Sequence, residues 1–142
     1  MGKVPNFVTA GALVLSLASC TAPYYDPSPP TDRALRETEF DSPLSMERSM
    51  RVLYARLDEC LSGAYHVQPR FDRAAGRAWV MVVSGLGFNR YSFIGNRFVA
   101  RFELTEAAAG SRVHISYVEP RLAPLVDMSR SWLTDDTRGC GR

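Results

Sequence analysis

The stretch 85–96 carries the most distinctive set of chemistry-bearing side chains in this 142-residue chain. It holds three glycines and three aromatic residues between two predicted strands. It is not a dinucleotide-binding GxGxxG motif, because Arg90 stands three positions after Gly87 and no helix follows to bind a phosphate. Two interpretations remain: a strand with bulging glycines whose aromatic residues fill the core, or a glycine-hinged loop that contacts a peptide, a glycan or another protein. The candidate partner-binding residues are Phe88, Arg90, Tyr91 and Arg97.

Residues suited to nucleophilic or acid–base catalysis are few. Ser84 stands in VVSGL and not in the GxSxG of a nucleophile elbow. His66 and His114 fall on the polar parity of predicted strands, which indicates solvated side chains and leaves general-base work as the alternative. Asp135 and Asp136 are adjacent and point apart, so no carboxylate pair is spaced for glycoside chemistry. The sequence therefore predicts a protein that is not an enzyme and needs no cofactor.

Composition excludes several classes of protein. With 46% hydrophobic and 23% charged residues, the chain has the balance of one small water-soluble domain and not that of a polytopic membrane protein. The 17 basic and 15 acidic residues leave a formal charge of +2, which is too nearly balanced for a nucleic-acid-binding protein. An aromatic content of 11% is also unlike that of a disordered chain.

The N-terminus has the pattern of a secretory signal peptide. Lys3 supplies one positive charge, and the apolar run that follows spans about 12 residues and ends in small residues. A membrane-spanning helix needs roughly 20 residues, so this run favours removal over a permanent span. The segment LASC at positions 17 to 20 resembles the lipobox of bacterial lipoproteins.

This resemblance implies a lipid anchor at Cys20. In such lipoproteins the cysteine thiol is lipidated, cleavage occurs before it, and the new amino terminus is acylated with a chain such as palmitate. A single acyl chain binds a membrane only marginally, whereas several chains anchor a protein stably. Thr21 stands where inner-membrane lipoproteins often carry aspartate, so the resemblance implies an outer-membrane anchor with the body facing the periplasm.

The two other cysteines form an even pair. With Cys20 lipidated, Cys60 and Cys140 remain in an oxidising compartment, and we expect a disulfide between them. The alternative is a metal site formed by both cysteines with His66 and His114. That set lacks any CxxC or HxxxH spacing, so no metal is predicted.

The chain is predicted to have three segments: a signal peptide at 1–19, a lipidated cysteine with a flexible linker at 20–43, and a small α+β domain at 44–142. The linker is predicted because five of the nine prolines lie in it without a sustained hydrophobic period. The domain is expected to begin with a helix capped by Ser45 and stopped by Gly63. A second helix is expected to end near Asp135. The apolar stripe of the first helix is Met46, Met50, Leu53, Leu57, Cys60 and Leu61.

Between the helices, alternating residues predict three or four strands. Their connections are too short for helical crossovers, which indicates an antiparallel meander. Pro69 favours a sheet-edge position for the first of these strands, because proline cannot donate a ladder hydrogen bond. The run 78–83 is apolar at both parities, which is typical of a central strand covered on both faces or of one with a partner surface.

The expected fold class is α+β: an N-terminal helix, the meander and a C-terminal helix, with both helices on one face of the sheet and linked by the disulfide. Over about residues 44 to 140 this order resembles the helix-on-sheet domains of small proteobacterial envelope lipoproteins. Among these are the helix-grip domains of a lipoprotein subunit of the outer-membrane barrel-assembly machinery. The resemblance rests on element order and transfers no residue.

The sequence favours a membrane-anchored lipoprotein whose noncatalytic periplasmic domain binds an envelope protein or a small ligand. The binding surface is expected in the stretch 85–96 and in sheet arginines such as Arg97 and Arg101. One alternative is a cell-envelope enzyme that uses His66 or His114 as acid or base. The other is a purely structural envelope protein. The expected partners are the membrane, through Cys20, and the envelope protein or ligand, with no nucleic acid.

Overall fold

The computed structural model describes residues 35–61, 63, 65–84, 97–135 and 139–140. Within these ranges, the elements in chain order are β1 (Arg36–Ser42), α1 (Met46–Cys60), β2 (Tyr65–Asp72), β3 (Arg77–Ser84), β4 (Arg97–Ala107), β5 (Gly110–Tyr117) and α2 (Ala123–Thr134). A short 3₁₀ turn, Pro120–Leu122, leads directly into α2. Neither α1 nor α2 has the length and apolar content that a membrane-spanning helix requires.

The strands form one antiparallel sheet in the order β1-β5-β4-β3-β2. The antiparallel prediction is therefore confirmed, and Pro69 lies on the edge strand β2, as expected. The predicted count of three or four strands is wrong, because the described residues contain five. The order also differs from a simple meander, since the first strand in the chain pairs with the last.

The additional strand, β1, corrects the predicted linker. Residues 36–42 were expected to belong to the flexible segment 20–43, yet they pair with β5 along their whole length, from Arg36 opposite Tyr117 to Ser42 opposite Ser111. The strand was missed because its sequence, RETEFDS, contains Phe40 as its single apolar residue and so has no hydrophobic alternation. Its stability comes from pairing with β5, which local sequence does not reveal.

One face of the sheet packs against α1 and forms the core. The predicted stripe of α1 is confirmed: Met46, Leu53 and Leu57 are buried, and Met50 is partly buried. Full burial of a leucine side chain contributes about 1.5 to 3 kcal/mol, so this stripe is sufficient to hold α1 on the sheet. The strand residues of this core are Ala78, Val80, Val82, Val99, Ala100, Phe102, Leu104, Val113 and Ile115.

The second helix completes the core and is linked covalently to the first. Trp132 and Leu133 of α2 are buried in the same cluster, and α2 contacts both α1 and β1. The predicted disulfide is present: Cys60 at the end of α1 bonds to Cys140 beyond α2, with their Cα atoms 5.3 Å apart. The expected end of α2 near Asp135 is also correct, since the helix ends at Thr134.

Three buried serines join β1, α1 and β5. The Ser49 hydroxyl lies 3.1 Å from that of Ser42 and 2.9 Å from that of Ser111. Ser111 also donates a 2.9 Å hydrogen bond to the carbonyl oxygen of Leu44. Gly110 precedes this junction with a φ of +141°, and its missing side chain lets β5 lie directly against the backbone of Ser42. The junction fixes the chain where it turns from β1 into α1.

Candidate functional site

Most of the partner-binding residues predicted from sequence cannot be assigned a position in the fold. Cys20, Phe88, Arg90 and Tyr91 lie outside the described residues. Arg97 is exposed and begins β4 opposite Ser84. Arg97 therefore lies about 20 Å from Glu103 along the extended strand β4.

The two histidines do not meet. His66 is exposed on β2, whereas His114 lies on β5 with its Nε2 atom 4.0 Å from Glu37 Oε1. Two strands separate β2 from β5, so the histidines are at least about 14 Å apart. Both remaining cysteines are joined in the disulfide. Within the described part of the chain, no group of histidine, cysteine and acidic residues is arranged to hold a metal ion.

The other face of the sheet contains a different set of side chains. In β3, Arg77, Trp79, Met81 and Val83 alternate with the core residues and point away from them. We call this side of the sheet the second face. Met81 and Val83 are fully buried, which confirms the expectation that this strand is covered on both sides.

Strand register assembles polar groups around Trp79 on the second face. Arg70 of β2 and Glu103 of β4 stand opposite Trp79 on either side. Two residues nearer to the turn between β2 and β3, Asp72 stands opposite Arg77. The result is a cleft of about 250 Å³, which we call the Trp79 cleft. Its lining residues are Asp72, Ala75, Arg77, Trp79, Arg101 and Glu103.

The indole ring of Trp79 contacts an arginine, and its N–H donor is unsatisfied. The guanidinium carbon of Arg70 lies 5.1 Å from the ring centroid, within cation–π distance. The indole Nε1 atom is buried and has no hydrogen-bond acceptor among the described residues. A buried donor without an acceptor costs about 1 to 3 kcal/mol, so the Trp79 ring carries an unsatisfied polar group in this conformation.

Charges of both signs line the Trp79 cleft in equal number. Arg77 and Arg101 supply two guanidinium groups, and Asp72 and Glu103 supply two carboxylates. Arg77 Nη1 lies 3.8 Å from Glu103 Oε1, which is longer than the 2.7 to 2.9 Å of a close charge-assisted hydrogen bond. Asp72 Oδ1 accepts a 3.1 Å hydrogen bond from the backbone N–H of Ala75 and so shapes the turn at the mouth of the cleft.

Across the sheet, the β1 edge carries a separate acidic cluster. Arg112 Nε donates to Asp41 Oδ1 at 3.1 Å and lies 3.3 Å from Glu39 Oε1. The hydrogen bond to Asp41, followed by the charges of Asp41 and Glu39, raises the pKa of Arg112. These groups are exposed and serve the pairing of β1 with β5.

Taken by residue type, the Trp79 cleft is equipped for binding. Guanidinium and indole groups donate hydrogen bonds, and carboxylates accept them. None of the six lining residues is a serine, cysteine, threonine, lysine or histidine. Two oppositely charged pairs beside an aromatic ring suit a small polar ligand or a charged segment of a partner.

Sequence reasoning named Arg101 but missed the rest of this cleft. The single local signal was the apolar run of β3, where Trp79 stands at the parity that faces away from the core. Nothing in the spacing of Asp72, Arg77 and Glu103 indicated that they meet, because their proximity depends on how β2, β3 and β4 pair. Comparisons of the chain with protein-family models, with curated proteins and with solved structures found no match.

Proposed function

We propose that this protein is a lipid-anchored bacterial lipoprotein whose noncatalytic periplasmic domain binds an envelope protein or ligand at the Trp79 cleft. In this proposal Cys20 carries the lipid, the outer membrane holds the anchor, and the sheet and helices form the binding body. The stretch 85–96, including Phe88, Arg90 and Tyr91, remains a second proposed contact region, with Arg97 beside it.

Two features of the chain support export, and the first of them also supports the anchor. The LASC segment ending at Cys20 has the residue types of a lipobox. The bond between Cys60 and Cys140 is of a kind that persists in oxidising compartments such as the periplasm and is rare in the cytosol. Both features favour an exported protein.

The observation that carries the binding role is a charged cleft lined by Trp79, whose buried indole N–H has no acceptor among the described residues. Polar groups buried inside folded proteins are nearly always hydrogen-bonded, so an exception calls for an explanation. Binding of a ligand or partner that moves the Trp79 side chain and supplies an acceptor accounts for it. A purely structural role for the domain gives this group no function.

We also propose that both helices cover the same face of the sheet, so that neither helix covers the part of the second face around Trp79. Two observations support this arrangement. Trp132 of α2 belongs to the same buried cluster as Leu53 of α1. The guanidinium carbon of Arg130 on α2 lies 5.0 Å from the ring centroid of Phe40, which pairs with the core residue Val113.

Crosslinking in living cells tests the binding role. The tagged, lipidated protein is crosslinked, purified and analysed by mass spectrometry as wild type, as Arg77→Gln and as Arg48→Gln. Arg48 is an exposed arginine of α1 and provides the matched control. We expect a reproducible partner that is lost in Arg77→Gln and retained in Arg48→Gln. A partner retained equally in both variants would contradict binding at the cleft.

A Cys20→Ala form tests the anchor separately. We expect the wild-type protein to label with palmitate and to fractionate with the outer membrane, and the Cys20→Ala form to do neither. Membrane association without labelling of Cys20 would refute the lipid anchor and would leave the crosslinking result unaffected.

A further inference from the structure

Resting on the proposed binding role, we propose that the Trp79 cleft recognises a small zwitterion: a free amino acid or a very short peptide that carries both an ammonium and a carboxylate group. Arg77 and Arg101 bind the carboxylate, and a small movement of the Trp79 ring lets one carboxylate oxygen accept from the indole N–H. Glu103 and Asp72 bind the ammonium group.

The charge distribution leads to this ligand class. The cleft has two guanidinium groups and two carboxylates within about 250 Å³. A ligand with only negative charge, such as phosphate, would meet repulsion from Asp72 and Glu103. A ligand with only positive charge would meet repulsion from Arg77 and Arg101. A ligand with one charge of each sign avoids both penalties and pairs with both sets.

The size of the cleft and the state of its groups support the same class. A volume of about 250 Å³ is below the roughly 300 to 1,000 Å³ of pockets that hold drug-sized ligands, so the occupant is small. The 3.8 Å separation of Arg77 and Glu103 leaves room for each to form a closer contact with a ligand. The indole donor requires an acceptor, and a carboxylate oxygen is a strong one.

Nuclear magnetic resonance offers a direct test, because the chain contains only two tryptophans. The isotope-labelled full chain in detergent micelles should give two indole N–H signals, which a Trp79→Phe variant assigns. The signal of Trp132, a core residue that is 1% exposed, serves as an internal reference. The probes are alanine, alanylalanine, N-acetylalanine and alaninamide.

We expect alanine or alanylalanine to shift the Trp79 indole signal downfield in a saturable way and to leave that of Trp132 unchanged. N-acetylalanine, which lacks the ammonium group, and alaninamide, which lacks the carboxylate, should each bind about tenfold more weakly, because each forfeits one charged contact. Glu103→Gln should weaken binding of the zwitterion about tenfold as well. Glu47→Gln, on the exposed side of α1, should not change it.

Two results would overturn the proposal: an indole signal of Trp79 that no probe moves, or equal affinity for all four probes. Either result, if Arg77→Gln still loses a crosslinked partner, would remove the ligand class and leave the binding domain in place. If no probe moves the indole signal and no crosslinked partner depends on Arg77, the binding role itself is refuted.

Discussion

The substitution Gly110→Ala tests the packing at the junction of β1, α1 and β5. Gly110 has a φ of +141°, a conformation that residues with a side chain rarely adopt. A Cβ atom built on it would overlap the carbonyl oxygen of Ser42 and lie 2.8 Å from the carbonyl carbon of Pro43. Both of these are backbone atoms, so relief requires movement of β1 relative to β5.

The expected loss of stability has two parts. Holding alanine in an unfavourable backbone region costs of the order of 1 to 3 kcal/mol. Moving β1 also disrupts the bonds of Ser111 to Leu44 and Ser49, each of which contributes about 1 kcal/mol net. We therefore expect Gly110→Ala to lower the free energy of unfolding by about 3 to 5 kcal/mol, a large fraction of the 5 to 15 kcal/mol typical of a domain.

Urea unfolding of the Cys20→Ala chain, followed by tryptophan fluorescence, measures this loss. The matched control is Gly76→Ala. Gly76 also has a positive φ, +61°, but a Cβ atom there would have nothing within 4 Å. The control should therefore lose only the conformational cost, about 1 to 2 kcal/mol. Equal losses in the two variants, with unchanged dependence on urea, would show that close approach of β1 contributes nothing and would refute the reasoning.

Three further predictions concern stability. Replacing Cys60 and Cys140 together by serine should lower the free energy of unfolding by about 4.5 kcal/mol, which is the chain-entropy value for a loop with a sequence separation of 80. Urea unfolding of this variant that matches that of the disulfide-bonded wild type would contradict the prediction. Ser49→Ala should cost about 1 to 3 kcal/mol in the same assay, because it removes the hydrogen bonds of the buried Ser49 hydroxyl to Ser42 and Ser111. Tyr65→Phe removes a 2.8 Å hydrogen bond to Glu119 and should cost about 1 kcal/mol at neutral pH. That hydrogen bond, then burial and the charge of Glu119, raise the pKa of Tyr65. The stabilisation is therefore complete below pH about 10 and is lost as the pH rises through the raised pKa, so the wild-type advantage over Tyr65→Phe should shrink in alkaline urea titrations.

The body of the fold was largely predictable, because its signals are local. The steps of three and four between Met46 and Leu57 reflect the helical period, and both residues are buried as expected. Period-two alternation identified β2, β4 and β5, and a run of apolar residues identified β3; their short connections required antiparallel pairing. The disulfide was predicted from the even number of cysteines that remains if Cys20 is lipidated.

The first strand was not predictable in this way. Its residues are charged or polar apart from Phe40, which is the single apolar residue of the strand. The strand is stabilised by partners on β5, which lies about seventy residues later in the chain, and by the contact of Phe40 with Arg130. Such long-range contacts leave no hydrophobic period in the local sequence.

The sequence by itself determined the helices and the strands with alternating apolar residues, because both rest on spacing along the chain, and it determined the disulfide through the number of cysteines. The route of export stays a prediction. The tertiary structure alone decided that β1 closes the sheet beside β5 and that the Trp79 cleft exists. Asp72, Trp79 and Glu103 belong to three different strands, and only the register of those strands brings their side chains together on one face. A site formed across strands depends on pairing, and pairing is a property of the folded sheet.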